Sequence, residues 1–162
     1  MNYLLFSSSN KKISYFLNLR NFQIMKSSLV AGVPLGFVEK TVLEKYKLSY
    51  LKFLNFDEED KSSLKKSLEN VIIFLQEKVL KIFNCSEFIN VKMHQLDLLE
   101  KISQKMRNTI IQVRSEQKFS SLADIHQRTK YKVEENLSLQ LYEELINNSN
   151  NFLRSFLKTD IK

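Results

Sequence analysis

The hydrophobic pattern changes period once along the chain, near residue 55. Before that point apolar residues fall in short runs, 13–19 and 22–30, broken at Arg20 and Asn21. Runs of this length, rich in aromatic and β-branched residues, predict two strands. Pro34 then stands where a first helical turn begins, and Leu35, Val38, Val42 and Tyr46 follow at spacings of three and four, which predicts a short helix over 35–46. Leu48, Tyr50, Phe53 and Leu54 form an aromatic, strand-like group before the acids of 57–60. Residues 1–54 are therefore expected to be a small α/β domain, ordered strand-strand-helix-strand.

Beyond Asp57 the apolar positions step by three and four. Leu64, Leu68, Val71, Ile72, Leu75, Val79, Ile82 and Phe83 define one helix face, and the acidic residues 57–60 complement its N-terminal dipole. Asn84, Cys85 and Ser86 favour a turn. Ile89, Met93, Leu96, Leu99, Ile102, Met106, Ile110 and Val113 then continue the stepping, which predicts a second long helix antiparallel to the first. Ser121 is placed to cap a short helix through Leu122, Ile125 and Val133. Ser138 is placed to cap a last helix with Tyr142, Leu145, Ile146, Phe152, Leu153 and Phe156 on its face. The expected fold class is mainly α: an antiparallel helical bundle over 55–162, preceded by the small α/β domain.

Composition narrows the chemistry. Two Gly and one Pro in 162 residues leave little punctuation for barrels, sandwiches or Gly-rich nucleotide folds. Gly32 and Gly36 lie in a segment without the Lys-Ser/Thr of a phosphate loop. No apolar run approaches the roughly 18 residues of a membrane span. One cysteine, Cys85, and two histidines, His94 and His126, cannot make a structural zinc site or a disulfide framework, so a reducing compartment is the expectation. The acids at 57–60 lack the alternating oxygen ligands of a calcium loop and read as a solvated helix start. The two histidines read as surface or half-buried residues, and no nucleophile arrangement accompanies them. The expectation is a protein without catalytic residues, cofactor or metal.

Charge and apolar surplus suggest partners. The net charge is +7, and the first 38 residues contain Lys11, Lys12, Arg20 and Lys26 but no acid, which leaves +3 for the remainder. In the second long helix Lys101, Lys105, Arg107 and Arg114 are candidates for contact with phosphate or an acidic partner. The pairs Leu98-Leu99 and Ile110-Ile111, and Phe152 and Phe156 in the last helix, widen the apolar faces beyond one stripe. A widened face packs on its own core or on another chain.

Three segments resemble a subunit of the GINS complex, the helical scaffold of the replicative helicase, nearest to its Psf-two type. Val33-Pro34-Leu35 with the elements after it is similar to the family's Val-Pro-Leu-Trp segment, although Gly36 replaces the Trp. Lys101-Ile102 through Arg107 to Val113-Arg114 resembles its long-helix motif, and Asn136-Leu137-Ser138-Leu139 its closing Asn-Leu-Thr-Leu segment. The resemblance spans 13–157. It implies a non-catalytic nuclear subunit that braces the MCM helicase during DNA replication, in a heterotetramer with other GINS subunits and with only weak or indirect contact to nucleic acid. Val33, Pro34, Leu35, Leu98, Ile110, Ile111, Leu139, Phe152 and Phe156 become the candidate interface. The competing expectation rests on the acid-free, Ser-rich start: an organelle-targeted helical bundle, mitochondrial or plastid, with a cleaved N-terminus, bound to RNA or a ribosome-like assembly.

Overall fold

A computed structural model describes residues 2–7, 13–20, 22–28, 36–39, 41, 44, 49–50, 56–147 and 151–158. The protein is mainly helical, with a small N-terminal sheet. Strands β1 (Asn2–Ser7), β2 (Ile13–Asn18), β3 (Gln23–Ser28), β4 (Gly36–Glu39) and β5 (Ser49–Tyr50) form one sheet in the order β4-β1-β2-β3-β5. Every pairing is antiparallel.

The two runs expected as strands are β2 and β3. Their break is a tight turn: the Arg20 amide donates to Asn18 Oδ1 at 2.9 Å and the Phe22 amide to the Asn18 carbonyl at 2.7 Å, with Phe22 in the left-handed region at φ 54°. Strand β1, which lies between β4 and β2, has no counterpart in the elements expected from the sequence. Where a helix was expected over 35–46, residues 36–39 are strand β4 instead. Gly36 takes φ 126°, outside any helix, and Phe37 and Val38 pair with Leu4 and Tyr3 of β1. Most of 40–46 lies outside the described residues, as do 51–54 of the third expected strand.

Helix α1 (Glu58–Phe74) begins as its sequence requires: Asp57 accepts the Asp60 amide at 2.9 Å, and three acids occupy the first turn. The single helix expected to run through Phe83 is divided at Leu75, whose ψ of 22° ends α1 before α2 (Gln76–Cys85) starts. A larger correction concerns 89–113. Instead of one long helix there is a short bridge between Phe88 and His94, a one-turn 3-10 helix (Gln95–Leu98), a turn with Lys101 at φ 56°, and only then α3 (Gln104–Glu116). The interruptions are local hydrogen bonds. His94 and Asp97 form a reciprocal capping box, and Ser103 Oγ accepts the Met106 amide at 3.2 Å. Leu96, Leu99, Ile102 and Ile110 still reach the core, whereas Ile89 and Met93 are exposed.

Ser121 caps α4 (Leu122–Thr129) as expected, accepting the Asp124 amide at 3.0 Å, and Lys130 at φ 65° ends it. Val133 belongs not to that helix but to α5 (Val133–Asn147). Ser138 is buried inside α5 and caps nothing; its hydroxyl donates to the Glu135 carbonyl at 3.0 Å. Helix α6 (Phe152–Leu157) closes the described chain.

Helix α1 lies against α5 and against β1. Tyr15, Leu17 and Ile24 of the sheet share a buried cluster with Leu64, Leu68, Leu137 and Leu141 of the helices. The Tyr15 hydroxyl donates to Asp60 Oδ2 at 3.3 Å, and the Tyr15 and Phe56 rings meet edge to face at 5.0 Å. One apolar core therefore runs across residue 55. Among the described residues no helix is long and apolar enough to cross a membrane.

Candidate functional site

The most heavily determined piece of surface is the turn between the 3-10 helix and α3. Gln140, buried on α5, spans it: its Oε1 accepts the Glu100 amide at 2.8 Å and its Nε2 donates to the Leu98 carbonyl at 3.1 Å. The Tyr131 hydroxyl donates to the Glu100 carbonyl at 2.7 Å. Burial, and after it the charge of Glu100, pushes the Tyr131 phenol far above its usual value, so the hydroxyl keeps its proton as a donor. Gln140 is oriented in turn by Glu144, which accepts its Nε2 at 3.0 Å and also accepts the Leu153 and Arg154 amides at 3.0 and 2.7 Å. A buried carboxylate thus fixes the start of α6 and, through Gln140, the turn before α3.

That turn sets what α3 presents. The first amides of a helix have no intrahelical acceptor. Ser103 satisfies one, that of Met106, while Gln104 and Lys105 in the first turn are exposed. Lys101 and Lys105, exposed residues of the same stretch, flank this helix start in sequence, and the charge of Lys101 also acts on Glu135 of α5. The other two cations singled out from the sequence are occupied internally. Arg107 Nη1 donates to Asp97 Oδ2 at 2.7 Å. Arg114 closes the end of α2, donating from Nη1 to the Phe83 carbonyl at 2.8 Å and Ser86 Oγ at 2.8 Å, and from Nη2 to the Ser86 carbonyl at 2.6 Å.

Next to the turn lies a cavity of about 510 Å³ lined by Phe88, Val91, Lys92, Asp97, Gln104 and Arg107. Its outer wall is a loop with an exposed apolar tip: Phe88 is 57% exposed and Val91 97%, and Ile89 and Met93 are exposed beside them. Its floor is rigid. His94 Nδ1 accepts the Leu96 amide at 3.0 Å, and the His94 amide donates to Asp97 Oδ2 at 2.8 Å. Burial, and then the nearby charge of Arg114, holds the His94 imidazole below its usual pKa and so neutral, as an accepting Nδ1 requires. Burial pushes the Asp97 carboxyl up, but the His94 amide and the Arg107 guanidinium outweigh it and hold the group below its usual value. Phe88 meets His94 edge to face at 4.8 Å, and the Arg107 guanidinium sits 5.7 Å from its ring centre.

The candidate interface residues scatter. Ile110 is fully buried in the chain's own core; Ile111, Phe152 and Phe156 are partly buried against it. Leu98 and Leu139 are half-buried. Val33, Pro34 and Leu35 lie outside the described residues. His94, expected at or near the surface, is buried as a cap; His126 is exposed. Sequence reasoning missed Gln140, Glu144, Tyr131 and Phe88. A signal existed for two of them: Gln140 and Glu144 share the face of α5 with Leu137 and Leu141, a polar pair inside an apolar stripe. Among the described residues no group of three or more His, Cys, Asp or Glu side chains is placed to hold a metal ion.

Comparison with known proteins places the chain differently from the resemblance drawn above. The model of a family described as a protein of unknown function, DUF655, matches residues 7–157. The crystal structure of Af1531 from Archaeoglobus fulgidus, of the same family model, is similar at a TM-score of 0.68 and 21% identity, over 91% of this chain and 94% of that one. No curated protein matches. These findings overturn the identification as a GINS subunit, and the DNA-replication scaffold role and heterotetramer that it implied go with it. The structure supplies the reason: the segment 101–114, matched to a long-helix motif, contains the turn at Lys101, and the segment 136–139, matched to a closing motif, is the interior of α5. The alternative of an organelle-targeted bundle on RNA or a ribosome-like assembly gains no support from either comparison. On a match that covers nearly its whole length, the chain belongs to the DUF655 family.

Proposed function

We propose that this protein is a non-catalytic nucleic-acid-binding protein that grips a backbone phosphate at the start of α3. The observation that carries this reading is the turn at 98–103, a surface segment held from beneath by two buried polar side chains, Gln140 and Tyr131. Burying polar groups costs free energy unless each finds a partner, and here the partners are the backbone of a solvent-facing turn. The result is an α3 N-terminus whose first amides and positive dipole face solvent in a fixed direction. That geometry suits an anion, and Lys101 and Lys105 add full charges beside it. A net charge of +7 attracts a polyanion from a distance. Binding is favoured over catalysis because the buried polar side chains at this site, Gln140, Tyr131 and Glu144, are committed to the protein's own backbone or to one another.

The contact is sequence-independent, since phosphates position and bases specify. Fluorescence anisotropy of labelled RNA and DNA oligonucleotides tests it across a salt series. With one phosphate on the helix start and at most a second beside the two lysines, log K should fall against log salt with a slope of about −1 to −2. The double substitution Lys101→Glu, Lys105→Glu should remove most of the binding and of the slope while leaving the thermal melt in place. Unchanged affinity in that variant would sink the proposal.

A further inference from the structure

Resting on the reading of α3 as a phosphate site, we infer that the cavity beside it receives one unpaired base, stacked on Phe88, so that the protein prefers single-stranded nucleic acid. Phe88 is an aromatic residue at the surface: it is 57% exposed, its ring meets His94 edge to face at 4.8 Å, and the Arg107 guanidinium lies over one face at 5.7 Å, which leaves the other face for a base. A half-exposed ring offers a stacking platform that any base can use. The cavity volume of about 510 Å³ falls within the range of small-molecule clefts.

The charges choose between the parts of a nucleotide. Asp97 and Arg107, which both line the cavity, form an ion pair at 2.7 Å with no net charge. A neutral pair gives a phosphate no net attraction to offset its desolvation there, a cost that an uncharged base does not carry. Charge available to phosphates lies instead on Lys92, an exposed residue of the lining, and on Lys101 and Lys105 at the start of α3. Gln104 joins the two regions, being both the first residue of α3 and a wall of the cavity. Its amide carries a donor and an acceptor within reach of a base edge. Within a duplex both faces of each base are covered by stacked neighbours, so only an unpaired base can lie on Phe88.

The chain contains no tryptophan, which makes a direct test available. Phe88→Trp in the full chain introduces one indole at the stacking position, and its fluorescence is followed while a uridine-rich single-stranded RNA or a fully paired two-strand duplex without loops or overhangs is added. The single strand should quench it and the duplex should leave it unchanged. In anisotropy, Phe88→Ala should weaken single-strand binding by about tenfold and leave duplex binding as it was. Should Phe88→Ala melt early, Phe88→Leu keeps the apolar contact without an aromatic face and is expected to show the same selective loss. Equal quenching by both nucleic acids, or an undiminished single-strand affinity without the ring, overturns the inference. If that happens while Lys101→Glu with Lys105→Glu still abolishes binding, the phosphate reading survives and only the base pocket falls. If the charge variant is inert, both fall. Absence of any oligonucleotide binding, with Val91→Glu instead dispersing a self-associating chain, would make the apolar tip a protein-docking surface and refute the base pocket.

Discussion

Gln140→Leu is the substitution that most directly tests how the surface turn is built. Leucine is close in volume and suits the apolar stripe of α5, so the change removes hydrogen bonds with little effect on packing. Three are lost: the Glu100 amide to Oε1, and Nε2 to the Leu98 carbonyl and to Glu144 Oε1. A neutral hydrogen bond contributes about 0.5–1.5 kcal/mol and one to a charged group about 1.5–3 kcal/mol. Leu98 and Glu100 are partly reached by water, which places their shares at the low end. Glu144 keeps the Leu153 and Arg154 amides, which limits its loss. The expected cost is about 2–4 kcal/mol, and for a chain of this size each kcal/mol lowers the melting temperature by roughly 2–4 °C. Urea unfolding followed by circular dichroism measures the free energy, and hydrogen exchange at the Glu100 amide reports the turn directly. Glu143→Ala, one residue before Glu144 on the exposed side, serves as a control with a shift within about 0.5 kcal/mol. If Gln140→Leu matches that control and the Glu100 amide stays protected, the turn is held by something other than Gln140, and the argument for a deliberately fixed α3 start collapses.

Two further expectations follow from the same region. Burial holds the His94 imidazole neutral in the fold, while the unfolded chain protonates near pH 6.5. Below that value the unfolded state binds more protons, so this contribution to stability is intact above about pH 6.5, is lost as pH falls, and levels off below the lowered folded pKa. Urea melts between about pH 5 and 7 should therefore slope downward toward acid, and His94→Asn, which keeps a capping acceptor, should flatten the slope; identical slopes in both proteins would show that His94 is not the source. Arg114→Met should cost about 3 kcal/mol by stranding the Phe83 and Ser86 carbonyls at the end of α2. A loss below about 0.5 kcal/mol by urea unfolding would mean that water replaces the guanidinium there without penalty.

What local sequence determined is what short-range chemistry decides. The strands at β2 and β3 follow from short apolar runs broken by Arg20 and Asn21, α1 from Asp57 and its period, and α4 from Ser121, because each signal and its partner lie within a few residues. The mainly helical character followed from period and from the scarcity of Gly and Pro. The error at 89–113 has an equally local cause. Apolar steps of three and four persist through the capping box of His94 and Asp97, and Lys101 occupies a left-handed position where glycine would have announced a turn. Likewise the resemblance to GINS rested on short motifs of common residues, which say little about whether a segment is a turn or a helix interior.

Tertiary structure decided the site. Gln140 and Tyr131 reach the turn across sequence separations of about 40 and 31 residues, and Phe88 meets Arg107 from the far side of the 3-10 helix. Of four cations equivalent in the sequence, Arg107 and Arg114 are spent on Asp97 and on the end of α2, while Lys101 and Lys105 remain at the surface. The physical reason is that a charged or polar side chain's role depends on which acceptor it finds when buried. That acceptor is supplied by the packing of α2, α3 and α5, which no local pattern encodes.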